Sequence, residues 1–257
     1  MPHMNHRSLS ASLPNRRRRK ARLISVATFA AVAILASLAS GQRDSAGAST
    51  GKALRGIFNL AAGSCQGTSV TGTYFRMIFP HGNVSNGKFF ENATSTCSDK
   101  TYTLGVPGTQ GGLFTGKFQP DPKPAFDARG GGLASAIEQP QNFGDINLSI
   151  ATDKRDPESG AAVPAPSIVD TKGRLSGQVE AWSIAWKKIF MNQGSLKPGH
   201  SLRRATTTLS GTYNASTRAF VIMWTSQVVG GPFNGFTGYW HLEGTFSPKK
   251  RTRADPS

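Results

Sequence analysis

Residues 235–246 read GFTGYWHLEGTF, and their alternation is the strongest structural signal in the chain. Phe236, Trp240, Leu242 and Phe246 fall on even positions; Thr237, Tyr239, His241, Glu243 and Thr245 fall on odd ones. Successive side chains of an extended backbone point to opposite sides, so this period of two describes a strand with one apolar and one mostly polar face. Just upstream, AFVIMWTSQVV (219–229) is rich in the β-branched and aromatic residues that suit a pleated surface. TLSGTY (208–213) reaches it through residues 214–218, the length of a hairpin loop. The three segments predict an antiparallel meander.

A short pattern recurs outside this region: an apolar residue, any residue, Gly, any residue, then an apolar residue. It reads VTGTY (70–74), LSGQV (175–179), LSGTY (209–213), FTGYW (236–240) and LEGTF (242–246), with a looser version in LFTGKF (113–118). A Gly flanked in this way shares a strand face with both apolar residues, and it either leaves room for a neighbouring ring or lets the strand bend. INLSIAT (146–152) alternates as a further strand. VEAWSIAWKKIF (179–190) carries both helical and strand spacing, and the LSGQV leading into it favours a strand passing into a loop. The Pro/Gly-rich segments 119–132 and 153–167 read as long loops. The expected fold class is all-β, an antiparallel β-sandwich or partly open barrel, preceded by an N-terminal hydrophobic export or anchor helix.

That helix is expected from RRRRKARLISVATFAAVAILASLAS, residues 16–40. A basic run, an uncharged apolar run over 23–39 and a small-residue site at Ser37-Leu38-Ala39 make the layout of an export segment. Seventeen apolar and small residues also reach the lower edge of a membrane span. The alternatives are a cleaved signal peptide and an anchor that leaves the C-terminal domain outside. Either places the domain beyond the cytoplasm, secreted or single-pass anchored, with the membrane touched only through 23–39 if uncleaved. The combination is in the style of exported bacterial proteins, although no motif carries a functional residue over from them. The expected organisation is a signal or anchor over 1–39, a flexible linker over 40–52, one all-β domain over 53–247 and a basic tail over 248–257.

The formal charge of +16 is unevenly placed. Seven cations lie within 1–40 and four in the tail, so 41–247 holds nineteen Lys/Arg against thirteen Asp/Glu and a net +6. A nucleic-acid reader concentrates basic residues on one face of its domain, so no nucleic-acid partner is expected. Cys65 and Cys97 are the two cysteines of the chain, and in an exported domain they predict one disulfide.

Candidate chemistry is sparse. His81, His200 and His241 follow the export segment, and none sits in a GxSxG elbow. No HxH, HExxH or CxxC spacing supports a metal, and no cofactor is expected. Glu91, Glu138, Asp145, Glu180 and Glu243 could supply a carboxylate pair, but no spacing selects two of them. His241 and Glu243 share the polar face of their strand with Tyr239, and Phe233 lies just before it. Tyr239 and Phe233 are the aromatics expected at the surface, where rings on a rigid β-scaffold form stacking platforms. Phe233, Tyr239, His241 and Glu243 are therefore the candidate ligand-binding residues. The expected function is a non-enzymatic binding or cell-envelope module for a glycan, an apolar small molecule or another envelope component. The alternative is a carboxylate-based hydrolase acting on an envelope or extracellular polymer.

Overall fold

The computed structural model describes residues 51–198 and 205–249. The export or anchor segment, His200 and residues 250–257 of the tail lie outside the described residues. In chain order the strands are β1 (Lys52–Ala53), β2 (Gly56–Leu60), β3 (Ser64–Gln66), β4 (Ser69–Thr71), β5 (Tyr74–Ile78), β6 (Phe89–Phe90), β7 (Thr103–Leu104), β8 (Gly112–Phe114), β9 (Gln141–Phe143), β10 (Ile146–Thr152), β11 (Ser167–Thr171), β12 (Arg174–Gln178), β13 (Trp182–Trp186), β14 (Ile189–Asn192), β15 (Leu209–Tyr213), β16 (Ala219–Gln227) and β17 (Thr237–Pro248). No helix occurs among the described residues, and the fold is all-β, built of curled antiparallel sheets that form a half-barrel.

The meander is present as β15-β16-β17. Its longest pairing sets Trp224 opposite Trp240 and Ile222 opposite Leu242. The apolar face read from 235–246 is the core face: Trp240, Leu242 and Phe246 are buried, while Phe236 packs partly buried against the same cluster. Two strands share the other edge of β17. β5 pairs with residues 237–241 and β2 with 244–248. β1, two residues before β2, pairs with β11 at the far side of the same sheet. The pairing therefore runs from β11 through β12, β15, β16 and β17 to β2, and the chain itself links β2 back to β1, which pairs with β11. Such curling needs close backbone approaches, and the recurrent glycines supply them. A Cβ on Gly244 would overlap the Asn59 carbonyl, and one on Gly211 the Val221 carbonyl. At these two positions the glycine makes room for a partner strand's backbone, not for a ring.

A second sheet, in the order β14-β13-β10-β9, packs on the inner face of the first. Trp182 on β13 meets Trp224 edge-on at 5.3 Å and Trp240 at 5.4 Å. Residues 179–190 therefore do not pass into a loop. Lys187 and Lys188, both with positive φ, form a two-residue turn between β13 and β14, the geometry that matches the twist of a tight hairpin. All five residues of β13 are buried, and loop 119–132 makes backbone contacts at its end. Gly131 bridges to Trp186, and Gly132 donates to the Asn147 carbonyl. Cys65 on β3 is disulfide-bonded to Cys97, with Cα atoms 5.6 Å apart. A structural disulfide persists in an oxidising compartment, which agrees with an extracytoplasmic domain.

Candidate functional site

Three of the four candidates share one face. Tyr239, His241 and Glu243 alternate along the outer side of β17, each half-buried. Register then selects their neighbours, placing Tyr74 of β5 opposite His241 and Arg76 opposite Tyr239. Directly opposed residues of an antiparallel pair come close enough for their side chains to touch. The His241 imidazole accordingly lies flat against the Tyr74 ring, with centroids 4.5 Å apart and planes inclined by 6°. Tyr102 meets Tyr74 edge-on at 5.1 Å, and Tyr239 approaches it at 6.2 Å. Beyond them, the Arg76 guanidinium is held between the rings of Phe89, at 3.3 Å, and Tyr102, at 4.1 Å. Arg76 also donates to Thr101 Oγ1 at 3.1 Å and to the Tyr102 hydroxyl at 3.2 Å, and it pairs with Asp99 at 3.6 Å. The outcome is a fixed strip of aromatic rings bordered by one guanidinium.

Electrostatics keep most of this strip neutral. Burial lowers the pKa of His241 below its usual value, and Glu243, 3.6 Å away, pulls partly the other way. The imidazole is therefore uncharged at pH 7. Its Nδ1 is buried without a hydrogen-bond partner. Burial first, and then the neighbouring Tyr239, raises the Tyr74 phenol, and burial also raises that of Tyr239. Both hydroxyls keep their protons at all ordinary pH values. Glu243 is braced by the backbone N–H of Gly72, which donates to its Oε2 at 3.1 Å. Such a surface can stack a ligand's ring and donate hydrogen bonds from phenols.

Phe233 does not join the strip. It is wedged at the core edge among Phe90, Phe143, Trp186 and Phe236, at centroid distances of 5.4–5.8 Å. Alternation puts Phe236 and Trp240 on the core face and leaves Phe233 for the surface, but the second sheet supplies rings that pack against it and partly bury it. Conversely, Tyr74, Arg76 and Tyr102 belong to the strip and escaped the sequence reading. The signal for the first two was present in VTGTYFRMIF, where Tyr74 and Arg76 alternate with Phe75 and Met77 as Tyr239 and His241 do with Trp240 and Leu242.

Of the five carboxylates considered for hydrolysis, Glu138 and Glu180 are each only 2% exposed, out of reach of a polymer. Asp145 sits in the tight turn between β9 and β10 with positive φ. A different pair does form. Asp121 and Asp153, both half-buried on the two long loops, share a hydrogen bond. Burial and then this bond push the Asp121 carboxyl up to about 7. Among the described residues no group of three or more His, Cys, Asp or Glu side chains is placed to hold a metal ion. Comparison with known proteins returns no match to this chain, whether among family models, curated proteins or solved structures.

Proposed function

We propose that this chain is an exported, non-enzymatic binding domain that holds a glycan against the strip of Tyr74, Tyr102, Tyr239 and His241. The observation that carries the reading is the flat stack of Tyr74 on His241 beside two further tyrosines. Rings fixed by strand register need no ordering when a ligand arrives, so the stacking energy with the apolar face of a sugar is not spent on immobilising side chains. Neutral phenols alongside offer donors to hydroxyls. The disulfide and the basic-then-apolar N-terminal segment support export, either as a secreted protein or as one held at the membrane by 23–39. The chain step between β1, paired with β11, and β2, paired with β17, favours a partly open barrel over a sandwich.

A glycan array probed with the full chain tests this reading. Binding is expected, and Tyr239→Ala and His241→Ala should each weaken it about tenfold, the scale of losing one aromatic contact. Binding that survives both substitutions removes the strip from the function. The raised carboxyl of Asp121 beside Asp153 favours one second reading, a hydrolase that uses this pair for acid–base chemistry. Hydrolysis of an envelope polymer that is lost in Asp121→Asn and kept in Tyr239→Ala would replace the binding reading with that one.

A further inference from the structure

The end of the domain where the described chain begins and finishes carries a second site. Between β1 and β2 the backbone steps across from β11 towards β17, and beside this step lies a groove of about 460 Å³. That volume is within the ~300–1,000 Å³ typical of small-molecule pockets. Ile57, Phe114, Pro166, Val169 and Pro248 line it with apolar surface.

The backbone around the groove has satisfied its own hydrogen bonds. Leu54 N–H donates to Ile168 at 2.9 Å, Gly116 N–H to Pro166 at 2.8 Å and Lys249 N–H to Arg55 at 2.9 Å, each to a carbonyl. Gly56 N–H donates to Thr115 Oγ1 at 3.0 Å, and that hydroxyl donates to the Leu54 carbonyl at 2.7 Å. Paired groups of this kind offer little to a polar ligand, whereas removing the apolar surface from water rewards an alkyl chain.

The rim has one sign of charge. Arg55, Lys117 and Lys249 are exposed there, and no Asp or Glu is among the described lining residues. Lys117 is drawn over the Phe114 ring, its Nζ 3.5 Å from the centroid, so a cation already stands at the apolar wall. An apolar trough with cations at its mouth complements an amphiphile that has one alkyl chain and an anionic head. Ala53 and Lys249, near the two ends of the described residues, both line this groove.

We propose that this groove binds a free long-chain fatty acid, with the alkyl chain against Ile57, Phe114 and Val169 and the carboxylate held by Arg55, Lys117 and Lys249. The proposal is independent of the glycan strip on β5 and β17. It is tested with the full chain and a palmitic acid analogue that carries a photoreactive diazirine and an alkyne handle, followed by mapping of the labelled peptides. Label is expected on peptides containing Ile57, Phe114 or Val169. Palmitate should displace it there, and uncharged hexadecanol should displace it much less. The combined variant Arg55→Gln, Lys117→Gln and Lys249→Gln alters only exposed side chains and should retain the fold. It should weaken palmitate's displacement about tenfold while leaving that by hexadecanol unchanged, since only the charge-assisted contacts are removed. The proposal is overturned by label confined to other peptides, by equal competition from hexadecanol, or by stronger displacement with phosphatidylglycerol vesicles than with palmitate.

Discussion

β17 presents one backbone to two environments. On its inner face Trp240, Leu242 and Phe246 are at most 5% exposed and are packed by Phe58, Phe75, Trp182 and Trp224. On its outer face Tyr239, His241 and Glu243 meet one another and β5 but remain half-open to water. Both faces are rich in aromatic contacts, so ring packing alone does not separate a core from a surface. The second sheet does, since it covers only the inner face. Carboxylates make the same contrast: Glu243 stands beside water, braced by a backbone N–H, whereas Glu138 is enclosed, with Oε1 lacking a partner and Oε2 accepting from the Gln141 amide.

The largest expected effect separates the two faces directly. Trp240→Ala should cost about 3–5 kcal/mol of unfolding free energy, the loss of a fully enclosed ring plus the cavity it leaves. Tyr239→Ala, one residue away, should cost about 1 kcal/mol, because water can refill its place. Denaturant midpoints at constant m-value compare the two, and equal losses would mean that the outer face is core as well.

A smaller effect concerns the two carboxylates. Burial pushes Glu138 up to about 8 from an ordinary 4.5, with the Gln141 amide only partly opposing it. The folded state therefore holds a proton that the unfolded state releases between those values. Stability from this group is fullest below pH 4.5 and falls as pH rises towards 8, by at most about 1.4 kcal/mol per pH unit. Glu138→Gln keeps an acceptor for Gln141 and carries no charge, so it should flatten the decline between pH 5 and 8. Between pH 7 and 8, where His241 is already uncharged, Glu243→Gln should leave that slope unaltered. An unchanged slope in the Glu138 variant would show that the carboxyl is not enclosed.

The finest comparison lies within the strip. His241 should titrate below the ordinary histidine value in an NMR pH series, because desolvation disfavours its cation. Glu243→Gln removes the one carboxylate that stabilises that cation, so the titration should move lower still. Movement upward would place another anion beside the imidazole.

How far the site was legible follows from how local each signal is. The faces of 235–246 could be read because alternation is a property of consecutive residues. INLSIAT was less transparent: Leu148 and Ile150 are buried as expected, yet Ser149 and Ala151 on the opposite face are buried too. The partial burial of Phe233 is equally illegible, as it depends on rings from β6, β9 and β13. Tyr74 carried the right pattern, but nothing near it in the chain says that it stacks on His241.

Local pattern was enough for the all-β class, the strand character and inward face of β17, the meander and, with only two cysteines to choose from, the partner of Cys65. Each of these depends on residues close together or on elimination. The tertiary structure alone decided that β5 and β2 divide one edge of β17, that a second sheet closes over the tryptophans, that Glu138 is sealed from water and that an apolar groove opens between cations where the chain crosses from β1 to β2. These depend on pairing between distant segments, whose register is set by the burial of whole sheets and leaves no periodic mark in either segment alone.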